Sequence, residues 1–232
     1  MLLGAACKPK PSANEPLYDN ITIEKKDSLV IFYPNFGSLD LVCGSRVPLT
    51  DGALFCCAAA FTAECKDKFS HLNIRCNHVC DGVLYEGSEE PVCTGVFTFY
   101  DGQGHFDFAN QAALDTAAAH GGMGFGQVLV IKNDTVIYSD TLKKTFWIGK
   151  EYTFRALCEK DGRLCIVQSQ KPVTYQRFVA FMTRYGIHNA INLDMGGWSH
   201  TRYINNYGKV VSTGSQPTQY ATNWIVFRKP NV

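Results

Sequence analysis

The sequence predicts an α+β fold, a single domain in which helices flank a mixed, twisted β-sheet. The chain has 232 residues, of which 46% are hydrophobic, and this length and composition suit one large core. Its patterned segments are mostly short β-rich runs separated by turn residues. A strand–strand–helix–strand order between Tyr152 and Asp194 places Asp194 at the carboxyl end of a sheet strand, where α/β-type sheets commonly bind ligands.

The first part of the chain predicts three strands and a long polar segment. Two strands are expected at Ser28–Tyr33 and Leu39–Cys43. The run from Ala53 to Phe61 is apolar without alternation, which indicates a strand buried on both faces, with a helix as the competing interpretation. Residues 62–90 are polar, and a loop of this length is often functional. Its candidate residues are His71, Asn73, Arg75, Asn77, His78, Asp81 and Gly82.

The middle of the chain predicts a hairpin, a helix and two further strands. The hairpin joins Val92–Phe99 to His105–Phe108 through a turn that contains two glycines. The alanine-rich segment from Ala109 to His120 favours a helix. The two strands are Gln127–Ile131 and Thr135–Tyr138.

The segment from Tyr152 to Asp194 has the clearest pattern. Phe154–Glu159 and Arg163–Gln168 predict a hairpin around Asp161-Gly162. Thr174 then caps a helix whose apolar residues follow the i, i+3, i+4, i+7 stripe, and this helix leads into the strand before Asp194. The remaining predicted strands are Arg202–Asn205, Lys209–Ser212 and Asn223–Arg228.

The ten cysteines do not predict a metal site. Their spacing contains no CxxC pair, and no histidines stand at zinc-site spacing, so no metal ligand is assigned, although a divalent cation stays open as a cofactor. If the hairpin forms, Cys158 and Cys165 lie opposite each other. They are then either a disulfide or two buried thiols that pack as small hydrophobic groups.

Charge and hydropathy exclude two classes of protein. The formal net charge is +1, and no basic run exceeds Arg228-Lys229, so the electrostatic footprint of a nucleic-acid-binding protein is missing. No stretch approaches the roughly 18 consecutive apolar residues of a membrane-spanning helix. A membrane is therefore expected as a partner only through an anchor.

The N-terminal segment predicts such an anchor. Small residues precede Cys7, and a proline-rich tether follows, so residues 1–17 resemble the remnant of a bacterial lipoprotein signal in which Cys7 is lipidated. The alternative is a plain disordered N-terminus. Residues 18–232 form the predicted domain, and the expected location is the bacterial cell envelope or periplasm.

The order of these elements resembles the phosphodiester glycosidase family. That family shows an Arg-bearing strand, a D-G hairpin, a helix and an N-A-x-N-L-D-G-G-G-S element. This chain has Arg155-Ala156-Leu157, then Lys160-Asp161-Gly162-Arg163-Leu164, then a helix and Asn189 to Gly197. More weakly, Asn77 to Gly82 looks like the family's G-N-V-V-S-D-G loop. Ala58 to Phe61 lies where the family carries N-G-G-F-F.

The resemblance implies a carbohydrate or sugar-phosphate substrate and a set of site residues. Asp194 would be the acid/base or nucleophilic carboxylate, and Arg155 would clamp a phosphate, with a structural Arg155–Asp194 ion pair as the alternative. His78 or Asp81 would be the second proton-handling group. Glycine amides can bind an anion, and an aromatic face can cover a pyranose. The predicted substrate-binding residues are Asn77, Asn192, Gly196, Gly197, Trp198 and Ser199.

The chain also departs from the family pattern. Met195 replaces the first glycine after the Asp, Trp198 is inserted before Ser199, and the run from Ala58 to Phe61 lacks the family's Asn. The missing amide removes a hydrogen-bond donor and acceptor. Two functions follow: a glycosidase that cleaves a sugar-1-phosphodiester or related glycan linkage at the cell envelope, or a catalytically inactive surface glycan-binding lipoprotein of the same fold.

Overall fold

A computed structural model defines residues 16–44, 52–63, 68–88, 93–137, 149–195, 199–214 and 221–230 of the protein. Residues 1–15, with Cys7 and most of the tether, lie outside these ranges, so the lipid anchor stays a prediction. Within the ranges, no helix combines the length and the apolar character that crossing a membrane requires.

Strands make up most of the regular structure of the described residues. In chain order the strands are β1 (Ile21–Lys26), β2 (Leu29–Pro34), β3 (Ser38–Cys43), β4 (Ala53–Ala58), β5 (His78–Cys80), β6 (Val83–Tyr85), β7 (Gly95–Tyr100), β8 (Gln103–Phe108), β9 (Met123–Gln127), β10 (Leu129–Lys132), β11 (Thr135–Val136), β12 (Glu151–Tyr152), β13 (Arg155–Lys160), β14 (Arg163–Ser169), β15 (Val173–Thr174), β16 (Asn189–Leu193), β17 (Thr201–Ile204), β18 (Val210–Thr213) and β19 (Asn223–Arg228). The helices are α1 (Gln111–Ala119) and α2 (Tyr175–Arg184), and a 3-10 turn spans His71–Asn73.

The strands form three larger sheets and one two-stranded sheet. The seven-stranded sheet has the order β1-β2-β14-β13-β16-β10-β11, and the five-stranded sheets have the orders β18-β17-β4-β19-β3 and β6-β5-β9-β7-β8. Every strand pair in the described part of the chain is antiparallel. The prediction of one mixed sheet is therefore corrected to several antiparallel sheets, and the α+β fold is strongly dominated by strands.

The hairpin of β13 and β14 explains this difference. β14, α2 and β16 follow one another, and β14 and β16 run in the same direction, as in a parallel crossover. β13 lies between them, however, and pairs antiparallel with both. Asp161 and Gly162 have φ angles of 51° and 70°, which suit the two-residue turn that brings β13 directly beside β14. β13 therefore occupies the position next to β14, and β16 pairs with β13 instead of with β14.

The main core lies between the sheets, and it buries one face of β16. The seven-stranded sheet contributes Leu157, Ile166, Ile191 and Leu193, and the other two sheets contribute mainly aromatic residues, which are Phe55, Phe97, Phe99, Phe106, Phe125 and Phe227. Phe55 and Phe227 pack edge to face with ring centroids 5.8 Å apart. Such packing leaves little freedom for the strand that ends at Asp194.

Helix α2 covers the opposite face of the same sheet, as predicted. The Thr174 side chain accepts a hydrogen bond from the main-chain N–H of Arg177 and caps the helix. Its apolar residues pack against Phe154, Ala156 and Cys158 of the sheet, and the buried members are Phe178, Val179, Phe181 and Met182. Because both of its faces are covered, β16 is buried along its whole length.

The structure decides between the two alternatives for Cys158 and Cys165 and pairs two other cysteines. Cys158 and Cys165 are opposed in the β13–β14 ladder, and both are buried free thiols, which confirms the buried-thiol interpretation. A disulfide joins Cys76 to Cys93, whose Cα atoms are 6.5 Å apart. No spacing rule marks these two residues in the sequence.

The predicted loop at residues 62–90 contains regular structure. The 3-10 turn begins after Ser70, whose side chain accepts a hydrogen bond from the N–H of Leu72. β5 and β6 follow as a short hairpin, and β5 pairs with β9. The few apolar residues of the segment are enough for the three-residue strand β5. This strand anchors the segment to a sheet.

Candidate active site

Asp194 lies directly after β16, where the seven-stranded sheet meets β4 of a five-stranded sheet. Its main-chain N–H donates to the carbonyl of Ala59, which follows β4, at 2.8 Å. Its carboxylate accepts hydrogen bonds from the main-chain N–H groups of Thr62 at 3.2 Å and Met195 at 2.9 Å. The residue is only 8% exposed. Two main-chain donors, one from the next residue and one from a segment far away in the sequence, thus hold the carboxylate in one orientation.

The surroundings of Asp194 move the pKa of its carboxyl into the neutral pH range. Burial raises the pKa of the carboxyl from its ordinary value of 3.8 to about 7. The N–H groups of Thr62 and Met195 and the positive charge of Arg155 act in the opposite direction, because they stabilise the ionised form. A carboxyl with this pKa can take up or release a proton at physiological pH.

Arg155, at the start of β13, is completely buried and holds the main chain on both sides of residues 196–198. Its Nη1 donates to the Asp194 carbonyl at 3.5 Å, and its Nη2 donates to the Ser199 carbonyl at 2.7 Å. Nη2 also donates to the Thr201 hydroxyl at 2.6 Å. Nε and Nη2 donate to Gln168 Oε1 at 3.2 and 3.1 Å. The guanidinium therefore stabilises the protein's own chain.

This geometry differs from both roles that the sequence suggested for Arg155. The guanidinium contacts the Asp194 main chain and not its carboxylate, so the two residues do not form the expected ion pair. Strand register gives the reason, since Arg155 pairs with Leu193 and projects to the same side as Leu193. Because the donors of Arg155 face protein acceptors, the geometry favours a positioning role over the predicted phosphate clamp.

A cleft of about 880 Å³ opens beside the partners of Arg155, and Met195 rather than Asp194 is among the residues that line it. Met195 and Ser199 line it on one side, Gln168 lies in its wall, and Lys25 supplies a cationic group. Phe32 and Tyr203 add aromatic surface. Gln168 Oε1 is occupied by Arg155 and Thr201, and its NH2 group has no acceptor among the described residues. That NH2 group is available to donate to a ligand.

The other two predicted proton-handling residues lie in different surroundings. His78, in β5, is fully buried and contacts Cys76 and His71, and burial lowers its pKa to about 4. Asp81 lies exposed in the turn after β5 and lines a separate cleft of about 280 Å³. Within the described residues neither side chain shares a hydrogen bond with Asp194, so their catalytic roles stay predictions.

The predicted substrate-binding residues are only partly brought together. Asn192 is buried, and its Oδ1 has no hydrogen-bond partner in the described part of the chain, so it is an available acceptor. Asn77 instead bonds the Gln111 side chain at 2.9 Å and the Gly87 N–H at 3.0 Å, a structural pairing. Ser199 lines the cleft. The remaining predicted residues lie outside the described ranges, and they are Gly196, Gly197 and Trp198.

Comparison with known sequences decides the family. The sequence model of the phosphodiester glycosidases matches residues 86–228, which is more than half of the 232-residue chain. The chain belongs to the phosphodiester glycosidase family. It is thus a member of a family of hydrolases, and the matched range contains both Arg155 and Asp194. No curated protein matches it in sequence.

Solved structures show the fold of this phosphodiester glycosidase. The zebrafish N-acetylglucosamine-1-phosphodiester alpha-N-acetylglucosaminidase catalytic domain, auto-inhibited by its pro-peptide, superimposes with a TM-score of 0.61 at 13% identity. The match covers 94% of this chain and 85% of that one. A hypothetical protein from Synechocystis gives a TM-score of 0.52 at 13% identity, covering 90% of this chain and 61% of that one. At these identities the likeness establishes the fold.

The candidate site also contains residues that the sequence did not indicate. Asn223 of β19 accepts a hydrogen bond from the Ala60 N–H at 2.6 Å and donates to the Ala60 carbonyl at 3.0 Å. An Asn side chain from another strand thus binds the segment from which the family's Asn is missing. Thr62 and Gln168 were missed as well. Thr62 is 132 positions from Asp194, and Gln168 is 33 positions from Thr201, so no local pattern relates these partners.

Proposed function

We propose that this chain hydrolyses a sugar-1-phosphodiester or a related glycan linkage, with Asp194 as the catalytic carboxylate. The observation that carries the proposal is a buried carboxyl with a pKa of about 7 in a chain of the phosphodiester glycosidase family, whose next residue, Met195, lines an 880 Å³ cleft. Glycoside hydrolysis depends on carboxyl groups whose environment tunes their proton affinity. Asp194 meets this requirement.

In the proposed reaction, Asp194 acts in its carboxylate form as a general base. Both of its oxygens accept main-chain N–H bonds, so the surroundings are built to receive the ionised group. The carboxylate takes a proton from water as the water oxygen attacks the anomeric carbon. The bond between that carbon and the phosphate oxygen breaks, and its electron pair leaves on the phosphate. The products are the free sugar and a phosphate monoester, which is a weakly basic leaving group that needs little protonation.

Substrate contacts are assigned to the cleft. Lys25 would face the phosphate, the NH2 group of Gln168 would donate to an oxygen of the substrate, and Phe32 and Tyr203 would cover the apolar side of a sugar. Ser199, which lines the cleft, would contact the sugar together with the sequence-predicted residues Gly196, Gly197 and Trp198. Arg155 would act through Gln168 and the Asp194 main chain, as a positioning residue.

The cell envelope is proposed as the place of action. The N-terminal segment with Cys7 supplies the sequence argument for a lipid anchor. The Cys76–Cys93 disulfide supports an oxidising compartment, because such bonds are rare in the reducing cytosol.

A hydrolysis assay with a matched variant tests the proposal. Purified protein would be incubated with UDP-N-acetylglucosamine and with the methyl phosphodiester of N-acetylglucosamine 1-phosphate, and the free sugar would be measured by chromatography. We expect release by the wild type and a loss of at least about 100-fold in kcat for Asp194→Asn. Asp134→Asn is the control, because Asp134 lies on the surface beside His188 and outside the cleft. Equal release by both variants would contradict the role of Asp194.

One observation favours the second candidate, a glycan-binding protein without catalysis. Arg155 is engaged entirely by protein groups, so the site lacks the phosphate clamp that the family resemblance implied. A wild-type protein that releases no sugar from a broad panel of phosphodiesters, yet retains glycans on an array, would establish this alternative.

A further inference from the structure

Three side chains from separate elements converge away from Asp194. Cys43 ends β3, His71 opens the 3-10 turn, and His78 begins β5. One donor atom from each, the sulfur of Cys43 and a ring nitrogen of each histidine, lies within 4.8 Å of the others. His78 is buried, and Cys43 and His71 are half-buried. A compact, partly dry set of nitrogen and sulfur donors is typical of a zinc site.

The hydrogen bonds of His78 direct a lone pair into this cluster. Its Nδ1 lies 3.0 Å from the carbonyl oxygen of Cys76, to which it must donate. Its Nε2 is therefore unprotonated in the neutral ring, and it lies 2.9 Å from Nδ1 of His71. A histidine ligand whose second nitrogen donates to a carbonyl is the usual arrangement around bound metals.

A fourth donor lies beside the cluster. Cys80 is two residues after His78 in β5, so both side chains project from the same face of the strand. The Cys80 thiol contacts the Cys43 thiol. Cys80 also donates to the Leu41 carbonyl at 3.2 Å. Cys80 therefore lies next to Cys43, just outside the group of three donor atoms that lie within 4.8 Å of one another.

We propose that Cys43, His71 and His78 form a binding site for Zn²⁺, and that Cys80 turns from the Leu41 carbonyl to complete the coordination. The ion takes the place of the proton that His71 Nδ1 shares with His78 Nε2, and this proton leaves Nδ1 while Nε2 of His71 takes up one from solvent. Each cysteine that coordinates the ion releases its S–H proton to solvent and binds as a thiolate. The site is distinct from the Asp194 cleft, and it goes beyond the proposed hydrolysis.

The two histidines need only a small rearrangement to bind one ion. Tetrahedral Zn²⁺ with Zn–N bonds of about 2.0 Å places two ligand nitrogens about 3.3 Å apart, a few tenths of an ångström more than the 2.9 Å between His71 and His78. His71 is the more exposed of the two, and its ring stacks on Tyr85 with centroids 3.4 Å apart. Sliding along the face of Tyr85 supplies the movement. Because the donors come from three elements, the sequence spacing did not reveal the site.

Titration of the full chain with Zn²⁺ and Co²⁺ tests this site. Protein treated with a chelator and desalted would be titrated by calorimetry with Zn²⁺, and by absorbance with Co²⁺, whose thiolate complexes absorb in the near ultraviolet. We expect one bound equivalent with a Kd below about 1 μM. We also expect at least about 100-fold weaker binding for His71→Asn and for Cys43→Ser. His188→Asn and Cys165→Ser are the matched controls and should bind as the wild type does.

The site would be ruled out by three outcomes. These are no binding below about 100 μM, binding that His71→Asn and Cys43→Ser leave unchanged, or a Cys43–Cys80 disulfide in the mass spectrum of the alkylated protein. His71 is half-exposed, so His71→Asn is expected to fold, and circular dichroism checks this. The titration uses no substrate, so its failure leaves the proposed hydrolysis untouched.

Discussion

Asp194 combines features that rarely occur together in one side chain. It is buried where an ionised carboxyl is costly, yet two main-chain N–H groups are placed to stabilise the charge. Burial has the larger effect, and the pKa rises to about 7. The fold therefore holds this carboxyl ready to change its charge near neutral pH. A residue placed only for stability would gain nothing from this arrangement.

The raised pKa predicts how Asp194→Asn changes stability with pH. In the folded protein the carboxyl has a pKa of about 7, against an ordinary value of 3.8. The folded state thus binds an extra proton between these values, and wild-type stability falls as pH rises through that window. Between pH 4 and pH 8 the difference in unfolding free energy should shift in favour of Asp194→Asn by up to about 4 kcal/mol.

Urea unfolding of both proteins at these two pH values measures that shift. Any constant cost of placing an amide NH2 group against main-chain N–H groups cancels, because it contributes equally at both pH values. Asp134→Asn, at an exposed position, should follow the wild type. Parallel pH dependence of the wild type and Asp194→Asn would show that the carboxyl ionises normally.

At the scale of the elements, Arg155 joins four strands. It belongs to β13, contacts β14 through Gln168 and β17 through Thr201, and holds the chain at the end of β16 through the Asp194 carbonyl. β17 belongs to a different sheet from the other three. One buried guanidinium therefore connects two sheets at the floor of the cleft.

This arrangement predicts a split effect for Arg155→Lys. Lysine keeps the charge but loses the planar fork, so several of the acceptors around it lose their donors. We expect kcat to fall at least about 10-fold with KM changed less than about 3-fold, and stability to fall by about 3 kcal/mol. Steady-state kinetics and urea unfolding measure these quantities, with exposed Arg163→Lys as the control. A large rise in KM with unchanged kcat would instead support a direct phosphate clamp.

At the scale of the whole molecule, local elements were predictable, and most long-range contacts were not. The Thr174 cap, the Asp161-Gly162 turn and the strand into Asp194 each depend on close neighbours in the chain, and the structure confirms them. The pairing of β4 with β17 and β19 depends on residues more than a hundred positions apart, and similar apolar runs could have paired otherwise. Because these long-range pairings could not be predicted, a single mixed sheet was expected in place of several antiparallel ones.

The site residues show the same difference between local signals, which were predictable, and long-range contacts, which were not. Asp194 and Arg155 were found because they lie in one continuous segment with a family pattern. Thr62 and Asn223 reach Asp194 and its neighbours only through folding, so their roles had no local signal. The predicted grouping of His78 and Asp81 with Asp194 rested on the weak resemblance of Asn77 to Gly82 to a loop of the family. The structure places His78 with Cys43 and His71, and it places Asp81 in another cleft.

The pH dependence of sugar release from a sugar-1-phosphodiester tests the central claim most directly. Because the carboxylate form of Asp194 is proposed as the base, kcat/KM should rise with pH through an inflection near the pKa of about 7. That inflection should be absent from the residual activity of Asp194→Asn. A wild-type profile without an inflection between pH 6 and pH 8, or the same inflection in Asp194→Asn, would contradict the assignment of Asp194 as the catalytic base.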